Sequence, residues 1–402
     1  MTEFWMNGIG SFSRKMYKII YISDFALGEI KDGVATARSG YSGIGMALCE
    51  ELQKMGHEVK ALGLGYTGQE HQGTFSLIPC NTLQDAAGTL NNLKYMWNPD
   101  VVIVALDINH FQEQFFPLAK RLEIPYICIT PLESEPLTMT WANLLMQMDK
   151  VFFISDFGVK EAKKEGVEAE HIKIGIDTQS WRLRTEPEYK TVRNTLGFDD
   201  DDFVILTVAD NQERKNLSRG MEIVSELKKK GVSVKHILVT RENSMIGWKL
   251  YDLAARLSIS SDLRIFNSGM PFKDLYALFA ASDVFLLCSK GEGLGMPIME
   301  AMACGVPVVA NKVGAIPELL GENRGWAVEP DYMMIDPFGN QNRYFMRTEK
   351  AVECLLDVRN NFSEVGLVKE NARKFIEEFS WNISAKQVER AIDVIKSVPE
   401  KV

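Results

Sequence analysis

The chain has 402 residues, 46% of them hydrophobic and 25% charged, an ordinary globular composition with enough length for two or three domains around a large core. A formal net charge of −9 argues against nucleic acid as the main partner and against attraction to an anionic bilayer. The six cysteines are scattered at 49, 80, 128, 288, 304 and 354 without metal-ligand spacing, so a reducing cytoplasm is the expected compartment.

Residues 1–16 lack the apolar core of a signal peptide and read as an N-terminal tail. Phe4, Trp5 and Phe12 in that tail could touch a lipid or a partner, or simply pack locally. No apolar run is long enough to span a membrane. Residues 17–23 read as the first strand. A glycine-spaced loop follows, containing Gly28, Gly33, Gly40, Gly43 and Gly45. Ile44, Leu48, Leu52 and Met55 then recur at helical spacing and Gly56 closes that helix. Residues 58–62 begin the next strand, completing a Rossmann-like unit. Its glycines form no clean dinucleotide fingerprint, and no acid ends the following strand, so a nicotinamide cofactor is not expected.

Residues 100–106 are a buried strand ending at Asp107-Ile-Asn-His110. Ligands of open α/β sheets bind beyond the carboxyl ends of strands, which places Asp107 and His110 where an acceptor would lie. His110 could polarise a hydroxyl or carry a proton; a surface histidine is the alternative. Strands at 125–130, 150–155 and 171–177 alternate with helices at 141–148 and 157–165. Glu133 and Glu135 point to the same edge, as acceptor ligands or as helix caps. Residues 182–202, with Pro187 and the acid run 199–202, read as a solvated linker.

A second unit opens with a strand at 203–209, followed by Asp210-Asn-Gln-Glu-Arg214-Lys215-Asn216 and a helix to about 230. Strands at 234–240 and 264–266 and helices at 247–257 and 271–281 lead to a buried strand at 284–288. There the chain reads Ser289-Lys-Gly-Glu292-Gly-Leu-Gly-Met296-Pro-Ile-Met-Glu300-Ala-Met-Ala-Cys-Gly-Val-Pro307. Pro297 suits the first helical position and Gly305 the end of the helix. Strand, glycine loop and helix N-terminus together make an anion site. The amides of Gly293, Leu294, Gly295 and Met296 could hold a diphosphate, with Glu292 and Glu300 accepting hydrogen bonds from ligand hydroxyls on either side. A capped helix with two solvated acids is the alternative. Residues 331–347 show little regular pattern and read as a surface loop, with Arg343 facing solvent or substrate. Amphipathic helices end the chain.

Glu292, seven residues, Glu300, then Ala-Met-Ala-Cys-Gly-Val-Pro-Val-Val resembles the signature of the retaining family-4 glycosyltransferases of GT-B fold. Likeness to that family runs through nearly the whole chain from Tyr17, including 39–59, 174–181 and 312–318. It implies an α/β architecture of two Rossmann-like domains with parallel sheets facing a cleft. The expected domains are an acceptor domain at 17–182, completed by a C-terminal helix at about 383–402, and a donor domain at 183–382. The resemblance implies that Glu292 contacts the donor sugar, Glu300 the ribose, and the loop around Gly43 the donor phosphates. It also implies a lysine at Lys215 and an arginine where this chain has Asp210, both neutralising the leaving diphosphate. A carboxylate ~5 Å from a phosphate charge costs ~3 kcal/mol at an effective dielectric of 20. Arg214 is therefore expected to stand in, with Asp210 turning away to pair with Arg214 or Lys215. The implied reaction is transfer of a sugar from a UDP- or GDP-sugar to a glycan, lipid or small molecule, and with no Asp-x-Asp motif where a donor site would need one it is expected to be metal-independent. It needs no cofactor and no nucleic acid, and allows peripheral membrane contact. A catalytically weak binding subunit is the alternative that Asp210 supports.

Overall fold

The computed structural model describes residues 15–31, 34–37, 39–337 and 339–397, without the side chains of 29–38 and 110. The expected tail residues Phe4, Trp5 and Phe12 lie outside the described residues, as does the side chain of His110.

Two parallel sheets organise the chain. The first runs Ser76–Cys80, Glu58–Leu64, Lys18–Asp24, Val101–Ala105, Tyr126–Thr130, Lys150–Phe153, Glu170–His171. The second runs Leu263–Asn267, Val234–Thr240, Phe203–Val208, Val284–Leu287, Val308–Asn311, Trp326–Val328. Helices cover both faces, so the central strands are buried throughout: Val101–Ala105, Tyr126–Thr130 and Val284–Leu287 have no exposed position. This is why they read as continuous rather than alternating apolar runs. Each sheet reverses its winding beside its first strand, between Lys18–Asp24 and Val101–Ala105 and between Phe203–Val208 and Val284–Leu287. Those switch points are where such sheets hold ligands.

One side of each sheet shares a continuous core that includes Tyr21, Leu48, Phe279, Ile298, Val388 and Ile392. The last helix, Trp381–Ser397, returns to the first domain. Glu389 lies 3.3 Å from His57 Nε2 and Lys396 lies 3.2 Å from Asp100. Gln387 accepts from the Lys173 amide at 3.0 Å and donates to the His171 carbonyl at 2.8 Å.

Four expectations change. The expected surface loop is an antiparallel hairpin, Pro330–Ile335 with Asn342–Met346; it is pinned by Asn342 N donating to Glu135 O at 2.7 Å and Gln341 Nε2 to Ser134 O at 2.5 Å. The expected linker contains the helix Glu186–Leu196, opened by a Thr185/Glu188 capping box. Its Arg193 is buried and holds Asp283 at 3.0 Å, and Asp202 of the acid run is buried too, accepting from Ser233 Oγ at 2.6 Å. The strand expected at 171–177 shortens to Glu170–His171. The glycine loop after the first strand is partly ordered, as Leu27–Lys31 against Val34–Ala37.

Candidate functional site

The loop that opens the second switch point turns into helix Met296–Ala303 at Gly295, whose φ of +91° a side chain would strain. The helix starts one residue before Pro297, so Glu300 is its fifth residue rather than part of its opening turn. Gly314 supports the loop from behind. An added Cβ there would stand 2.3 Å from the Glu292 carbonyl oxygen and 2.9 Å from that of Glu133.

Glu292 is 7% exposed and lies 2.7 Å from Lys215 Nζ and 3.8 Å from Arg214 Nη1. Burial alone would raise its carboxyl, but Lys215 and Arg214 hold it below the usual range. The two cations are presented by the single 3-10 turn Glu213–Lys215. Arg214 also donates to Gly291 O at 2.8 Å and reaches across to the first domain, where its Nη2 meets Glu133 Oε1 at 2.6 Å. Burial pushes the Glu133 carboxyl up by more than Arg214 pulls it down. Beside Glu133, Tyr41 Oη donates to Asp107 Oδ1 at 2.5 Å. Two cations thus sit among the carboxylates of both domains, where a diphosphate could take over part of their coordination. Glu300 carries no such counter-charge, and burial pushes its carboxyl up to about 7.

Of the residues expected at the site, Glu292, Lys215, Arg214, Gly293, Leu294, Gly295 and Met296 lie on these two loops. Asp107 approaches from the first domain. Gly43 is not in a loop; it lies in the opening turn of helix Gly40–Lys54, whose first residue would place a Cβ 3.9 Å from Met296 Cγ across the cleft. His110 lies in the π-helical turn Ile108–Gln112. Asp210 does not pair with Arg214 or Lys215. It takes a two-pronged contact from Arg241, Nε to Oδ1 and Nη2 to Oδ2, both at 2.5 Å. Arg241 was missed, although it directly follows a strand that pairs with the one ending before Asp210. Arg343 faces the inside: its Nη2 is 2.7 Å from Asp336, and its Nη1 would be 3.2 Å from a Cβ on Gly291. Among the described residues no cluster of His, Cys, Asp or Glu is arranged to hold a metal ion. No helix among them is long and apolar enough to cross a membrane.

The family model described as glycosyl transferases group 1 matches residues 188–350, the stretch that holds Arg214, Lys215, Glu292 and Glu300. That stretch is similar to the glycosyl transferases group 1. The family match agrees with two relatives. The O-antigen chain mannosyltransferase B of Escherichia coli is 33% identical over 129 residues, covering 31% of this chain and 32% of that protein. A GDP-mannose-dependent monoacylated alpha-(1-6)-phosphatidylinositol monomannoside mannosyltransferase of Corynebacterium glutamicum is 23% identical over 270 residues, 63% of each chain. The chain therefore spans less than two thirds of either relative. Among solved structures, Anabaena HepE, crystallised with UDP and glucose, superposes with a TM-score of 0.71 at 14% identity, covering 94% of this chain and 100% of that one. That likeness identifies the architecture as the GT-B fold.

Proposed function

We propose that the protein transfers a sugar, with retention, from a nucleoside-diphosphate sugar to an acceptor hydroxyl. One observation carries the reading: Arg214 and Lys215 converge on Glu292 beside the amides that open helix Met296–Ala303. In the proposed complex the diphosphate lies on Lys215, Arg214 and those amides, which stabilise charge on the departing phosphate. Glu292 grips the sugar and Glu300 the ribose. The acceptor comes from the first domain, beside Asp107 and His110, and closure of the two domains keeps water out. The leaving phosphate itself takes the acceptor proton, so no side chain serves as nucleophile. Positive charge at the leaving group comes from protein groups, and transfer proceeds without a divalent cation and without a cofactor.

The donor is a UDP- or GDP-sugar; the relatives include a GDP-mannose-dependent enzyme by name, and the HepE structure holds UDP. The acceptor is a glycan, a lipid or a small molecule, met in the cytoplasm or at a membrane surface. Six free cysteines fit that compartment. A panel of UDP-, GDP- and ADP-sugars in a thermal-shift assay tests the donor site. The cognate donor should stabilise the protein by about 2.7 kcal/mol at a hundredfold excess over its dissociation constant. Lys215→Ala should remove most of that shift and lower turnover by about 10²–10³. Turnover near wild type in Lys215→Ala, or an absolute need for manganese or magnesium, would overturn the assignment. The second reading, a binding subunit without catalysis, is favoured by Asp210 and its Arg241 partner. It predicts a donor shift with no release of nucleoside diphosphate.

A further inference from the structure

A cavity of about 410 Å³ opens on the second domain, and none of Arg214, Lys215, Glu133 or Glu292 lines it. It lies where the start of helix Leu217–Lys229 meets the 246–248 loop and the hairpin of Pro330–Ile335 with Asn342–Met346. Part of its lining is aromatic: Trp248, and Tyr332 stacked on Phe345 with ring centroids 4.4 Å apart. Apart from Ile246 and Gly247 the rest is polar, and its charges are balanced. Lys290 pairs with Glu213, and Arg219 pairs with Glu222 at 3.2 Å. Asn216 also lines the cavity; it is 4% exposed, and its Nδ2 has no hydrogen-bond partner.

That lining discriminates between ligand classes. An anion would find two cations already matched by two carboxylates. A wholly apolar ligand would cover those four charged groups and leave the Asn216 amide unsatisfied. A neutral polyol suits every part of the wall: its hydroxyls donate to the glutamates and accept from Asn216 and Arg219. The C–H face of a pyranose packs on aromatic rings, as in other pockets with apolar walls and a few placed polar groups. We propose that this cavity is a second glycan-binding site, separate from the transfer cleft and specific for neutral sugars. Two of its lining residues adjoin the cleft loops in sequence. Lys290 immediately precedes Gly291 and Glu292, and Glu213 immediately precedes Arg214 and Lys215, so each loop contributes residues to the cavity and to the cleft. The inference rests on the cavity lining and not on the transfer reading.

Saturation-transfer NMR on the full chain tests it, with maltotriose, methyl α-mannoside, mannose 6-phosphate and octyl glucoside as probes, all with UDP and GDP in excess to compete for the cleft. The neutral sugars should bind at roughly millimolar dissociation constants. Trp248→Ala should weaken maltotriose by about tenfold or more, and Glu222→Gln, which keeps volume and removes an acceptor charge, by severalfold. Thermal melting checks folding; if Trp248→Ala does not fold, Tyr332→Ala on the exposed hairpin replaces it. The proposal is overturned if neutral sugars do not bind, or if folded Trp248 and Tyr332 variants bind them as wild type does. Binding of mannose 6-phosphate alone would make the cavity an anion site instead, and binding of octyl glucoside alone would make it an apolar surface; either outcome also overturns it.

Discussion

Glu300 is the site residue whose charge is most open to change. Its carboxyl is pushed by burial from an ordinary value of 4.5 up to about 7, so near neutral pH it is about half protonated. The sign for folding follows: the group contributes least destabilisation below about 4.5, and apo stability falls as the pH rises from there through about 7. Donor binding should act in the opposite sense. In the proposed complex the ribose hydroxyls would donate to the carboxylate, favour its charged form and so release a proton on binding below about pH 7. Donor affinity should therefore rise with pH, by up to about tenfold per unit, and level off above about 7. Titration calorimetry of a UDP- or GDP-sugar in buffers of different ionisation enthalpy measures both the slope and the proton. Glu300→Gln should abolish both. A flat wild-type profile would move the ribose away from Glu300.

At the scale of elements, the glycine loop depends on a neighbour that cannot give way. Gly314 has a φ of +52°, and a Cβ there would meet two backbone carbonyls, of Glu292 at 2.3 Å and Glu133 at 2.9 Å. Gly314→Ala should destabilise the fold by about 2 kcal/mol or more and weaken donor binding further by displacing Glu292. Gly366 offers the matched control, since it sits inside helix Phe362–Ile376 with nothing within 4 Å of an added Cβ. Gly366→Ala should gain about 0.5–1 kcal/mol and leave donor binding unchanged. Urea denaturation and donor titration separate the two effects; equal behaviour of both variants would remove the steric account. The same contrast explains what was legible in the sequence. Strands such as Val101–Ala105 announce themselves because both faces are buried, and the loop and helix start from Glu292 to Glu300 because their glycines and Pro297 have local reasons to be there. The hairpin at 330–346 has no such signal: Tyr332, Met333, Met334 and Ile335 are all exposed, so no alternation marks it, and contacts with Ser134 and Glu135 hold it in place. Asp210 with Arg241, and Glu133 with Arg214, are pairings between distant segments, to which local periodicity is blind.

Across the whole molecule, the two domains are joined by groups that the proposed ligand would also use. Glu318 of the second domain accepts from the Asp156 amide at 2.9 Å, capping helix Asp156–Lys164 of the first, and this joint lies outside the ion cluster. The contact between Arg214 and Glu133 is different, because Arg214 faces the proposed diphosphate. Without an anion, Glu133 neutralises Arg214 and holds the domains together. With a diphosphate on Arg214, Glu133 becomes a like charge, and at ~5 Å and an effective dielectric of 20 the repulsion is ~3 kcal/mol. Donor binding must therefore displace or protonate Glu133, and burial already raises its carboxyl. Glu133→Gln should separate two quantities that would otherwise move together. Loss of the interdomain ion pair should enlarge the radius of gyration of the apo protein in small-angle scattering. Removal of the competing charge should tighten donor binding by about fivefold, or ~1 kcal/mol. Weaker donor binding in Glu133→Gln would count Glu133 among the donor's ligands, and an unchanged radius would leave Glu318, the hairpin held on Ser134 and Glu135, and the returning C-terminal helix among the contacts that keep the domains closed.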